Sequence, residues 1–193
     1  MALVCICGDF FKPEIQNKTL MPALQSPWFA PHVIIYMFSY AVLGAATIIG
    51  LYFLIRKEDK NFNVEVMNLI DNLVYVGTAF LSMGMLIGAV WAKDAWGHYW
   101  SWDPKETWAF ISIMVYAFVL HMRLVPGVRG RWSYHTATMF AFCAMVMTYF
   151  GVNYYLSGLH SYAAGDPVPV PAWVYIGLAS MILLSAVSFI RFR

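Results

Sequence analysis

The sequence predicts an all-α fold, a polytopic membrane bundle of about five transmembrane helices, and three observations predict it. Hydrophobic residues make up 61% of the 193 positions and charged residues only 11%, against about a quarter charged in an ordinary soluble domain. Five apolar runs approach the roughly 20 residues that a helix needs to cross a hydrocarbon core of about 30 Å. No segment alternates apolar and polar residues over about ten positions, as a membrane barrel requires.

The first run, 32–55, follows a mixed segment punctuated by Pro22, Pro27 and Pro31. Pro31 suits a helix start, where its missing N–H costs nothing. A stretch rich in Lys, Glu, Asp and Asn at 57–68 reads as solvated and leads to the second run, 69–91. The third, 107–121, is short but reaches both interfaces if it continues to Met122. Pro126-Gly127 breaks the chain before the fourth run, 134–156. A stiff, extended lead over 165–171 precedes the fifth, 172–190. With no internal repeat or linker, the expectation is an external N-terminal segment, 1–31, and one membrane domain, 32–193, whose loop 92–107 is external.

Basic residues accumulate on the cytoplasmic side of inserted helices. In a five-span arrangement Arg56, Lys57, Lys60, Arg123, Arg129, Arg131, Arg191 and Arg193 share one side, and Lys12, Lys18, Lys93 and Lys105 the other. The N-terminus and the loop 92–107 are therefore expected outside and the C-terminus in the cytoplasm. The net charge of +2 follows from this topology and gives no argument for nucleic acid. Cys5 and Cys7 are too isolated for a zinc site, which usually takes four ligands, and are candidates for oxidation; Cys143 reads as helix core filler.

Between the second and third runs lies Trp96-Gly97-His98-Tyr99-Trp100-Ser101-Trp102-Asp103-Pro104-Lys105-Glu106-Thr107-Trp108. An interfacial aromatic belt would supply Trp and Tyr, but it explains neither their density nor the interleaved Gly, Asp and Pro. Flat aromatic surface beside water suits a flat ligand. Asp103, Pro104 and Glu106 read as N-cap, first and third positions of a helix, an account that leaves Trp96, Trp100 and Trp102 unexplained. Trp96 and Trp100 share a face if that turn is helical. His32 opens the first run and His160 follows the fourth, both at the level of this loop. Two imidazoles beside an aromatic shelf can ligate haem iron, although a single interfacial histidine is more often satisfied by water. His121 lies a full span away, as a ligand for a second haem position or as a helix C-terminal cap. His135 reads as interfacial, and the role of His98 stays open.

These residues resemble the haem-handling membrane proteins of cytochrome c assembly, whose shared WWD motif has the form WGxxWxWDxxxT, met here at Trp96, Gly97, Trp100, Trp102, Asp103 and Thr107. Among them the chain is similar to the CcsA (ResC) type rather than its relative CcmC, through Ala89-Val90-Trp91-Ala92, Asp103-Pro104-Lys105-Glu106-Thr107-Trp108, Gly158-Leu159-His160-Ser161-Tyr162 and Pro22-Ala23-Leu24-Gln25-Ser26. The resemblance implies that His32 and His160 are axial ligands of haem b at the outer face, walled by Trp96, Trp100, Trp102 and Asp103, and that His121 receives haem from the cytoplasmic side. It implies a component of System II cytochrome c biogenesis in the bacterial inner membrane or its thylakoid equivalent. A CcsB (ResB)-like membrane partner completes a cytochrome c synthase, and apocytochrome c accepts the haem. A haem transporter without synthase activity, in the manner of CcmC, is the alternative; a structural subunit with an interfacial loop is a third. Family members usually carry further N-terminal helices, so the resemblance leads to the expectation of a split, truncated or minimal form.

Overall fold

The computed structural model describes residues 22–55, 60–128, 130–160 and 169–192. Lys12, Lys18, Cys5 and Cys7 of the N-terminal segment, the basic residues Arg56, Lys57, Arg129 and Arg193, and Ser161, Tyr162 and the lead through 168 lie outside the described residues.

The described chain is all-helical. After a 3-10 turn, Pro22–Gln25, come α1 (Phe29–Ile55), α2 (Lys60–Trp96), α3 (Pro104–Met122) and α4 (Arg131–Val146). α4 runs on through a π-helical turn, Met147–Gly151, into a final turn, Val152–Tyr155, and α5 (Ala172–Phe192) ends the chain. Four of these rods, Phe29–Ile55, Val64–Trp96, Arg131–Tyr155 and Ala172–Ile190, are long and apolar enough to cross a membrane, so the protein is a multi-pass membrane protein. The third of the five expected spans, α3, is not among them. Its 19 residues reach roughly 28 Å, close to bilayer thickness, but Lys105, Glu106, Ser112 and His121 lower its hydropathy.

Helices α1 to α4 close into a ring of neighbours, α1 on α2, α2 on α3, α3 on α4 and α4 on α1, while α5 lies outside against α4 and α1. Association in lipid depends on close packing rather than on expelling water. The extensive α1–α2 seam follows from small residues. Leu43, Tyr36 and His32 of α1 occupy the space that a side chain would need at Gly77, Gly84 and Gly88 of α2, and Ser39 Oγ donates to the Gly77 carbonyl at 2.7 Å. Across the other seam, Ser112 of α3 meets Thr148 of the π-helical turn at 3.1 Å. The Trp132 Nε1–H donates to the Ser185 carbonyl at 3.0 Å and ties the start of α4 to α5.

Helix α2 runs on to Trp96, five residues past the apolar run, and stops where Gly97 adopts φ 87°. A left-handed residue after the last turn is how many helices end. The tryptophan-rich loop is therefore short, and Trp96 and Trp100 do not share a helix face. His135 also departs from expectation. Instead of lying at an interface it is fully buried, its ring stacked on Phe53 of α1 at 5.3 Å, because α4 turns that face toward α1, where Gly50 leaves room.

Candidate functional site

The start of α3 organises the site. Asp103 is the N-cap, its carboxylate accepting the Lys105 N–H at 3.1 Å, while Glu106 accepts the Asp103 and Ser101 N–H groups at 3.2 and 2.8 Å. This reciprocal cap satisfies backbone donors that the first helical turn leaves open. It also holds Trp102 at φ 59°, a left-handed conformation unfavourable for a bulky residue.

Capping uses only part of Asp103. Its carboxylate also accepts the Leu159 N–H at 2.5 Å and the His160 Nδ1–H at 2.8 Å, which ties the loop to the segment after α4. Gly158 permits this approach, since a Cβ there would collide with Asp103. Because a carboxylate only accepts, the proton lies on His160 Nδ1, and Nε2 keeps a lone pair. Burial lowers the His160 pKa against the hydrogen bond and charge of Asp103, with Lys105 adding to the lowering. The ring is then a neutral imidazole, the form that binds metals.

His32 is arranged alike from α1. Its Nδ1–H donates to the Gly84 carbonyl at 2.9 Å, so its Nε2 too retains the lone pair, and among the described residues neither Nε2 makes a hydrogen bond. Both rings pack on Trp91: His32 is stacked at 5.5 Å with 20° between planes, and His160 is edge-on at 5.3 Å. Trp91 is buried and anchored by its Nε1–H to the Ala23 carbonyl at 2.7 Å. His32, Trp91 and His160 line one recess with Tyr36, Trp100, Lys105 and Tyr149. The π-helical turn contributes Thr148 and Tyr149 to this wall, a common use of such turns.

Of the residues singled out from sequence, His32, His160 and Trp100 meet at the recess, and Asp103 orients His160. Trp96 stands behind it, against Trp91 at 4.8 Å and His160 at 4.7 Å. Trp102 is 70% exposed and touches the recess only through Trp100, its ring 5.6 Å away. His121 occupies the far end of α3, roughly 24 Å along the axis from Lys105, exposed and with Nδ1 bonded to the Ala117 carbonyl at 2.7 Å. His98 is exposed and bonded to the Trp96 carbonyl at 2.9 Å. Sequence reasoning missed Trp91 as the shared support of both imidazoles, and Lys105 as a lining cation. The signal for Trp91 was its place one helical turn and a residue before Trp96.

The two Nδ1-anchored imidazoles and their aromatic recess are thus held by helices of a multi-pass membrane bundle. The chain is a member of the family described as cytochrome C assembly protein, which matches residues 1–160. It is 39% identical over 165 residues to Protein NrfI of Wolinella succinogenes, covering 81% of this chain and 18% of that one. Two proteins named cytochrome c biogenesis protein CcsA are also similar. That of Mesostigma viride is 39% identical over 83% of this chain and 63% of its own, and that of Chlamydomonas reinhardtii 43% over 76% and 44%. The chain thus spans less than two thirds of the length of these relatives.

Proposed function

We propose that this chain is the haem-binding membrane component of System II cytochrome c biogenesis, holding haem b at the extracytoplasmic face for thioether attachment to apocytochrome c. One observation carries the reading: two imidazoles, each fixed through Nδ1 and each left with an Nε2 lone pair, share a recess built on Trp91. A haem iron takes two axial ligands, which suits this donor set. Among the described residues no group of three His, Cys, Asp or Glu is placed to hold a bare metal ion. The names of the relatives agree with this role.

The recess encloses about 160 Å³, less than the roughly 300–1,000 Å³ of pockets that surround a small ligand. A macrocycle seated there is walled on part of its edge and open elsewhere, as delivery to a second protein requires. Trp91 and Trp100 exclude water from the ring, Trp96 backs His160, and exposed Trp102 extends the wall. His121, at the opposite end, serves haem arriving from the cytoplasmic side. No nucleophile is needed from this chain. Each thiol of a Cys-x-x-Cys-His segment adds S–H across one vinyl double bond, sulfur to one carbon and hydrogen to the other, so nothing leaves and no redox partner is consumed. A CcsB-like partner shares the task, in the bacterial cytoplasmic membrane or its thylakoid equivalent.

The test is coexpression with a CcsB-like partner and a reporter apocytochrome c in cells without their own assembly system. Covalent haem on the reporter, lost in His32→Gly and His160→Gly, is the expected result. A haem-loaded chain that never modifies the reporter indicates transfer to a carrier instead. A chain free of haem under reducing, haem-replete conditions overturns the reading and leaves the loop interfacial.

A further inference from the structure

The recess contains one cation, Lys105, that makes no ion pair among the described residues. Lys105, on the first turn of α3, lines the recess beside both imidazoles and is the one Lys or Arg among the lining residues. Its ammonium donates to the Asn153 side-chain carbonyl at 2.9 Å, a neutral acceptor. Among the described residues no carboxylate lies within ion-pair distance of it. The nearby acids are otherwise engaged: Asp103 accepts from Leu159, His160 and the Lys105 backbone, and Glu106 accepts from Ser101 and Asp103. A half-buried ammonium held by an amide is poorly compensated, since partly desolvated charges favour an ionic partner. Asn153, from the final turn beyond the π-helical turn, fixes where that charge sits.

We infer that Lys105 is the anchor for a carboxylate arm of the tetrapyrrole held between His32 and His160, an inference that rests on the haem reading above. Haem b carries both carboxylate arms on one side of the macrocycle and its vinyl groups away from them. Pairing one arm with Lys105 therefore sets the rotation of the ring about the axis through the imidazoles and turns the vinyl-bearing side away from the start of α3. Apolar walls and axial ligands alone leave that rotation free. Lys105 is thus a positioning residue that selects for free carboxylates and fixes which edge is offered to the incoming thiols.

The test uses the full chain purified with its membrane partner, titrated with ferric haem b and with its dimethyl ester, in which both carboxylates are masked. Wild type is expected to bind haem b roughly tenfold or more tightly than the ester, the worth of a charge-assisted hydrogen bond. Lys105→Met should erase that preference while leaving ester affinity and the axial-ligand spectrum unchanged, and Lys105→Arg should restore it. Retention of the full preference in Lys105→Met, with the bis-imidazole spectrum intact, overturns the inference about Lys105 and leaves the haem reading standing. A haem spectrum indifferent to His32→Gly and His160→Gly instead removes the reading on which the inference rests, and the inference with it.

Discussion

Asp103 performs two tasks, and paired substitutions separate them. In Asp103→Asn the side chain still caps α3, because Asn and Asp are near-equal N-caps, but the anionic acceptor of the His160 Nδ1–H at 2.8 Å is lost. In Asp103→Ala both tasks fail. Losing the cap costs about 1 kcal/mol. A buried imidazole N–H left without an acceptor costs about 1–3 kcal/mol more, since the Asp103 side chain is only 2% exposed and water has little access. The Ala variant is therefore expected to lose roughly 2–4 kcal/mol of stability and the Asn variant, whose NH2 replaces the oxygen that accepts the Leu159 N–H, about 1–3 kcal/mol. Haem affinity should order differently. A carboxylate bonded to a ligating imidazole raises its basicity and fixes its orientation, and removing such a group typically costs about 10–100-fold in metal affinity. Asp103→Asn is thus expected to bind haem about 10–100-fold more weakly while keeping the cap that Asp103→Ala loses. Thermal unfolding in detergent and absorbance titration with ferric haem measure the two quantities. Wild-type haem affinity in Asp103→Asn would refute the view that Asp103 orients a ligand.

Other substitutions probe the remaining supports. Gly88→Ala places a Cβ about 2.5 Å from His32 Cε1 and should displace that ring and lower haem content, whereas Gly44→Ala, with its nearest neighbour at 3.5 Å, should leave haem content unchanged. Trp91→Ala removes the surface on which both imidazoles rest and is expected to cost about 3–5 kcal/mol together with the bound haem; Trp91→Phe should retain most of both, measured by unfolding and absorbance. His121→Gly, at the far end of α3, should leave the absorbance spectrum of haem at the His32–His160 recess unaltered. Trp102→Gly relieves the left-handed φ of 59° and is expected to gain about 1 kcal/mol in thermal unfolding.

The helices were legible because lipid imposes a length and a composition on them, and the cap at Asp103 because Asp-Pro-x-Glu carries its own local geometry. α3 was the marginal span for the same reason that it matters: its first turn spends Lys105 and Glu106 on the recess instead of on hydropathy. The order of spans put His32 and His160 at one level, but their common support on Trp91 was not read, because α2 continues five residues past the apolar run before Gly97 ends it. The second duty of Asp103 was hidden behind an N-cap explanation that is correct as far as it goes. His135 lies beside basic residues near a helix start, and sequence alone does not reveal that α4 turns that face toward Gly50 and Phe53.

The most direct measurement of the central claim is the electron paramagnetic resonance spectrum of ferric haem in the purified chain with its membrane partner. Two axial imidazoles give low-spin iron in the wild type, His32→Gly and His160→Gly each give high-spin iron, and added imidazole restores the low-spin signal in both. A low-spin spectrum that survives either substitution without added imidazole contradicts the claim that these two histidines hold one haem.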